Sequence, residues 1–137
     1  MTADGRTGRD GNDPARAEGT WVLRSLGEGD GLVAAEPDVT TTLTLHGGRT
    51  SGYGGVNTFR GTYELRATGL ITFGRLASTR MAGPAAAMSQ DAMFLAALEA
   101  TERFDIQDTT LVLSDGRGAT VALLEPHRAA QTSGTGR

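Results

Sequence analysis

Cysteine is absent from the 137-residue chain. That absence excludes thiol catalysis, thiolate metal ligands and disulfide staples together. Lysine is absent too: all 13 basic residues are arginine, which rules out a Schiff-base lysine and the lysine of a phosphate-binding P-loop. No apolar run approaches the length of a membrane span. The first twenty residues, MTADGRTGRDGNDPARAEGT, lack the apolar centre of a signal peptide, so the reading predicts a cytoplasmic protein. Strong positive charge is also missing. A formal net charge of -3 and a pI near 5.3 supply no field that would draw nucleic acid or an anionic membrane.

What is present fits one domain, since single domains commonly hold this many residues and can bury a core without a metal or disulfide. Residues 1–17 are polar and glycine-rich and are expected to be a disordered leader, residues 18–126 the folded domain, and residues 127–137 a flexible tail. Within the domain the hydrophobic period is two. Trp21 and Leu23 share a face of one strand, Leu43 and Leu45 of a second, and Phe59, Gly61, Tyr63 and Leu65 of a third. Ile71 and Phe73 continue the pattern, and Ala67-Thr68-Gly69 marks a hairpin. From Pro84 the period lengthens to that of a helix. Met93, Phe94, Ala97, Leu98 and Thr101 form its apolar stripe, while Gln90, Asp91, Glu99 and Glu102 are expected to face away. Strands then resume as FDIQ, TTLVLSD and ATVALLEP. The predicted class is α+β: a curled antiparallel β-sheet, open and barrel-like, with one packed α-helix.

The stretch SGYGGVNTFRGTY, Ser51 to Tyr63, looks most like a site. A phosphate cradle needs glycines that lead into a helix N-terminus. These lead into a strand, so Gly54 and Gly55 are read as a bend and Asn57 as a turn residue. Arg80, beside Ser78 and Thr79, could clamp an anion through its two-pronged guanidinium, yet the simpler expectation is a buried organiser that bonds loop carbonyls or pairs with a carboxylate. His46 and His127, the two histidines, sit far apart with no converging ligands, so no metal site is expected. No Gly-x-Ser-x-Gly elbow accompanies them. The DGRG following Ser114 reads as a turn rather than a calcium loop. The aromatic residues at inward positions read as core.

The order Gly54-Gly55-Val56-Asn57, Gly61-x-Tyr63, ITFGRLASTRMAG (Ile71 to Gly83), a helix carrying FLAALEA and then LVLSD resembles the META domain of the HslJ family, over about Gly19 to Leu124. The resemblance implies a small sheet-rich fold with one helix, found in bacteria in envelope-associated and stress-linked proteins, heat shock among them, and it brings no established enzymatic activity. It marks Gly55, Asn57, Ser78, Thr79, Arg80 and Met81 as a structural or functional motif. The family usually carries cysteine where this chain has Val56 and Gly83. The resemblance therefore implies that these two positions face each other and that a disulfide of exported relatives has been lost here.

The expected function is that of a non-enzymatic, stress-associated accessory or binding module, without cofactor or metal. It would be monomeric and take an unidentified protein or small-molecule partner, such as a peptide or an apolar ligand in the mouth of the curled sheet. The competing expectation is a hydrolase that uses Arg80 and a nearby carboxylate.

Overall fold

The computed structural model describes residues 13–28 and 31–127. In chain order the elements are α1 (Pro14–Ala17), β1 (Gly19–Glu28), β2 (Gly31–Ala34), β3 (Thr42–His46), β4 (Arg49–Tyr53), β5 (Thr58–Ala67), β6 (Leu70–Phe73), β7 (Ala77–Ser78), α2 (Ala85–Ala100), β8 (Arg103–Gln107), β9 (Thr110–Ser114) and β10 (Thr120–Pro126). Every strand pairing is antiparallel.

The sheet curls further than expected. Its strands run β1-β3-β4-β5-β6-β8-β9-β10, and β10 returns to pair with β1, closing a barrel of 8 strands. The length of β1 makes closure possible. One of its edges pairs with β3 through Gly19–Val22 and with β2 through Ser25–Glu28, while the other edge takes β10, with a bulge between Leu23 and Ser25 that sharpens the local bend. Closure removes edges that an open sheet would leave unpaired. The thinnest seam lies between β6 and β8, where the register is Leu70 with Arg103 and the flanking bonds are Ile71 N–H to Glu102 O (3.2 Å) and Phe104 N–H to Gly69 O (3.0 Å).

Alternation fills the interior. Leu43, Leu45, Ile71, Leu111, Leu113, Ala122 and Leu124 are fully buried, and Phe94 and Leu98 of α2 enter the same core. Phe94 meets Phe59 edge to face at 5.9 Å between ring centroids, a favoured aromatic geometry. The helix packs against β1, β6 and β10. Its chain enters through Pro84, which stands at the cap position immediately before the first turn. No helix among the described residues is long and apolar enough to cross a membrane.

The expected leader needs correction where it is described. Residues 1–12 lie outside the described residues, but Pro14–Ala17 form a helical turn capped by Asp13, and Ala17 is buried. The cause is Trp21, whose indole N–H donates to Ala17 O at 2.9 Å and holds the turn against the barrel. Of the expected tail, His127 N–H donates to Thr20 O at 2.9 Å, and residues 128–137 lie outside the described residues. Two strands went unread in the sequence: β2 is only four residues long, and β4 (RTSGY) carries too little apolar pattern to declare itself; the stretch LITFGRLAST, read as one strand, is divided into β6 and β7.

Tyr63 occupies an inward position on β5 beside Phe73, and its hydroxyl is buried without a hydrogen-bond partner among the described residues. Burial pushes its phenol above the ordinary value of 10, with the Glu18 carboxylate adding to the rise against the lowering effect of the Gly48 backbone. The unfolded chain therefore releases this proton first, and stability falls as pH rises beyond about 10. Tyr63→Phe removes the buried hydroxyl while keeping the ring; with no bond to that hydroxyl within 3.5 Å among the described residues, and only the backbone of Gly48 and the carboxylate of Glu18 near it, the change should leave stability in urea unfolding within about 1 kcal/mol and lessen the alkaline loss. A clear destabilisation would show that the hydroxyl is bonded in solution.

Candidate functional site

Beyond β4 the chain must turn sharply to enter β5, and it does so over residues 54–57 against the side of α2. Gly54 is required there because a Cβ would sit 2.8 Å from the carboxylate of Asp91. Gly55 has φ +139° and lies against Ala87 O and Val39, a conformation that side-chain-bearing residues rarely adopt. The bend thus brings bare backbone to the helix. Asp91 Oδ2 accepts hydrogen bonds from the backbone N–H groups of both Val56 (2.9 Å) and Asn57 (2.7 Å).

Asn57 carries the connection outward. Its Oδ1 accepts from Met81 N–H (2.6 Å) and from the Thr79 hydroxyl (2.8 Å), and its amide nitrogen donates to Met81 O (3.3 Å). Thr58 N–H donates to Thr79 Oγ1 (3.2 Å), and Thr79 N–H donates to Thr58 O (3.1 Å). The loop after β7 is fastened to the 54–57 bend, and the bend to the helix. A second branch runs deeper: Gln90 accepts from Glu36 N–H (2.7 Å) and donates to the Thr41 hydroxyl (2.9 Å), which in turn donates to Gly54 O (2.7 Å).

The structure therefore gathers Gly55, Asn57, Ser78, Thr79, Arg80 and Met81 on one side of the barrel, but their roles differ from expectation. Asn57 is a two-sided bridge to Met81 rather than a local turn cap. Arg80 is exposed and makes no hydrogen bond or ion pair with any described residue, so it is not the buried organiser. The reason is the loop's path: side-chain and backbone bonds from Asn57 and Thr79 already satisfy this segment, and Arg80 points away from them into solvent. Ser78 pairs with Phe59 through the backbone and is exposed. Met81 is 62% exposed; together with Met88 (42% exposed), Ala82 and Arg80 it lines a shallow surface depression of about 430 Å³.

Gln90 and Asp91 are the residues that the sequence reading missed. They were expected to face water, yet they are 5% and 6% exposed. The signal was there: they precede Phe94 by four and three residues and so extend its stripe by one turn. Polarity argued against burial only because their backbone partners were unknown.

Among the described residues no group of histidines and carboxylates is arranged to hold a metal. At the far turn Asp115 Oδ1 accepts from Arg117 N–H (2.9 Å) and Ala119 N–H (3.0 Å), and its carboxyl is held below the ordinary value chiefly by the Ala119 amide. This agrees with a turn.

The expected proximity of Val56 and Gly83 holds. A Cβ built on Gly83 would lie 3.7 Å from Val56 Cβ and 3.0 and 3.2 Å from its methyls. The first distance is that of a disulfide, and the second pair shows that valine fills the space a second side chain would need.

Asp91→Ala, which strips the partner from two half-buried amides, should cost about 2–4 kcal/mol in urea unfolding; a loss below about 0.5 kcal/mol would mean that water replaces the carboxylate freely. Val56→Cys with Gly83→Cys should form a disulfide under mild oxidant and raise stability by at most about 3–4 kcal/mol over the reduced form. Two free thiols after oxidation, counted by alkylation and mass measurement, would refute that geometry.

Comparison with known proteins agrees with this construction. A protein from Burkholderia xenovorans, solved by NMR, is similar at a TM-score of 0.70 and 26% identity over 86% of this chain and 90% of that one. A DUF4847 family protein from Bacteroides vulgatus ATCC 8482, solved by crystallography, shares the fold at a TM-score of 0.57 and 16% identity, over 81% of this chain and 94% of that one. No curated protein matches. The META domain matches residues 15–128, from the α1 turn to the end of β10, and the chain belongs to the META domain family.

Proposed function

We propose that this domain is a non-enzymatic binding module that presents the loop at residues 79–82 to a protein partner, as a cytoplasmic, stress-associated accessory. The observation that carries the reading is the pairing of a filled interior with apolar side chains outside. Leucines from β3, β9 and β10 and Phe94 from the helix occupy the barrel, which argues against an apolar ligand within it. Met81 and Met88 stand exposed side by side around one depression. Methionine adapts its shape to a partner, and the two that line this depression would supply its apolar contact. The Asn57 bridge supports the same reading, because a loop already held in place loses little freedom on binding.

The hydrolase alternative has less support. Arg80 has no carboxylate within ion-pair distance among the described residues, and the Asp91 carboxylate is turned to the amides behind the loop.

Photo-crosslinking from position 82 in lysate of the native host should capture a specific protein. Met81→Asp with Met88→Asp should abolish that capture with the melting temperature unchanged, since both side chains are exposed. Identical capture by both proteins would remove the loop from the interface. Turnover of an ester, phosphate or glycoside that Arg80→Ala abolishes would overturn the non-enzymatic reading.

A further inference from the structure

A separate feature lies on the outer wall of the barrel, on β3, β4 and β5. Antiparallel register places Arg49 opposite Thr62 and Ser51 opposite Arg60, and His46 opposite Arg49 and Thr44 opposite Ser51. These are the outward positions of the three strands. Arg49 and Arg60 are therefore diagonal neighbours, about 7–8 Å apart at the backbone, close enough for two long side chains to converge on one group. Ser51 and Thr62 supply hydroxyls around them, the Thr44 hydroxyl being bonded to that of Thr20 at 2.9 Å, and these residues line a shallow depression of about 510 Å³.

The two arginines are diagonal rather than directly opposite, so water screens their mutual repulsion, and an anion seated between them would be drawn by both. No described residue supplies that anion. Neither arginine forms an ion pair or side-chain hydrogen bond with another described residue. The depression is lined by no aspartate or glutamate, in a chain whose acidic residues outnumber its basic ones by 16 to 13. Two carboxylates lie near its borders. Glu64, two residues beyond Thr62 on the same face, is not within 4.0 Å of either arginine; Glu18 is engaged with Gly47 N–H (3.1 Å) and His46 Nδ1 (3.9 Å).

We infer that this face binds the phosphate group of a phosphate ester between Arg49 and Arg60. Two guanidinium forks and the hydroxyls of Ser51 and Thr62 offer more donors than the two oxygens of a planar carboxylate can accept; a tetrahedral phosphate can engage them from several directions. The donors stand on paired strands of a closed barrel, which spares the cost of assembling them. The proposal is independent of the partner surface at Met81 and Met88.

The test is NMR titration of the ¹⁵N-labelled chain with inorganic phosphate at constant, low ionic strength, with acetate as the carboxylate control. Phosphate should produce saturable shifts at Arg49, Ser51, Arg60 and Thr62, and acetate should not match them. Arg49→Gln with Arg60→Gln should weaken binding at least about tenfold. If that double variant does not fold, Arg60→Lys serves in its place: it keeps the charge, loses the fork, and should still weaken phosphate several-fold. Glucose 6-phosphate and vesicles containing phosphatidic acid then separate a soluble ester from a lipid headgroup, and arginine-dependent tightening by either supports the site. Shifts that fail to saturate, acetate acting as well as phosphate, or binding unchanged in the variants would each overturn it.

Discussion

A buried carboxylate that accepts two backbone amides is the constraint on which the functional surface depends. Asp91 holds the 54–57 bend to α2; the bend sets Asn57; Asn57 holds Met81 and Thr79. Burying a carboxylate is costly unless its oxygens are satisfied, and here the donors are fixed backbone groups brought within reach by a glycine that leaves no Cβ in the way. The helix, the bend and the loop therefore keep their relative positions as one unit. The apolar face of α2 supplies the burial that holds the unit in place, with Phe94 one turn and Leu98 two turns beyond the polar pair on the same stripe.

This division of labour gives the barrel two neighbouring surfaces of different character, which meet where Arg60 pairs with Ala77. At the 79–82 loop the interior reaches the surface through the polar network and ends in exposed methionines. Beside it, β3 to β5 show water a lattice of hydroxyls and arginines whose spacing is set by register alone. The hydrogen-bonded barrel makes both possible: closing the sheet satisfies the backbone internally and leaves outward side chains free to be arranged for contact rather than for stability.

Much of this was legible in the chain. Alternation located Leu43, Leu45, Phe59, Tyr63 and Ile71 as core, and the change of period located the helix, because burial on one face leaves a direct imprint on composition. The motif residues Asn57, Thr79 and Met81 were marked by resemblance, and the closeness of Val56 and Gly83 followed from it. What could not be read was which polar residues would be buried. Gln90 and Asp91 satisfy themselves with Glu36, Thr41, Val56 and Asn57, partners 34 to 54 residues away, and no local pattern announces such pairs. Arg80 was misjudged for the same reason: its expected task was already carried by Asn57.

The sequence by itself determined the absence of thiol and lysine chemistry, the alternation of inward and outward positions, and the existence of the long helix α2, since each of these depends on residue identity and short-range period. Tertiary structure decided closure of the sheet, the inward turn of Asp91, the exposure of Arg80 and the diagonal placement of Arg49 beside Arg60. Those outcomes depend on register between strands and on which backbone groups meet across the fold, and both are set by packing the whole chain around one core.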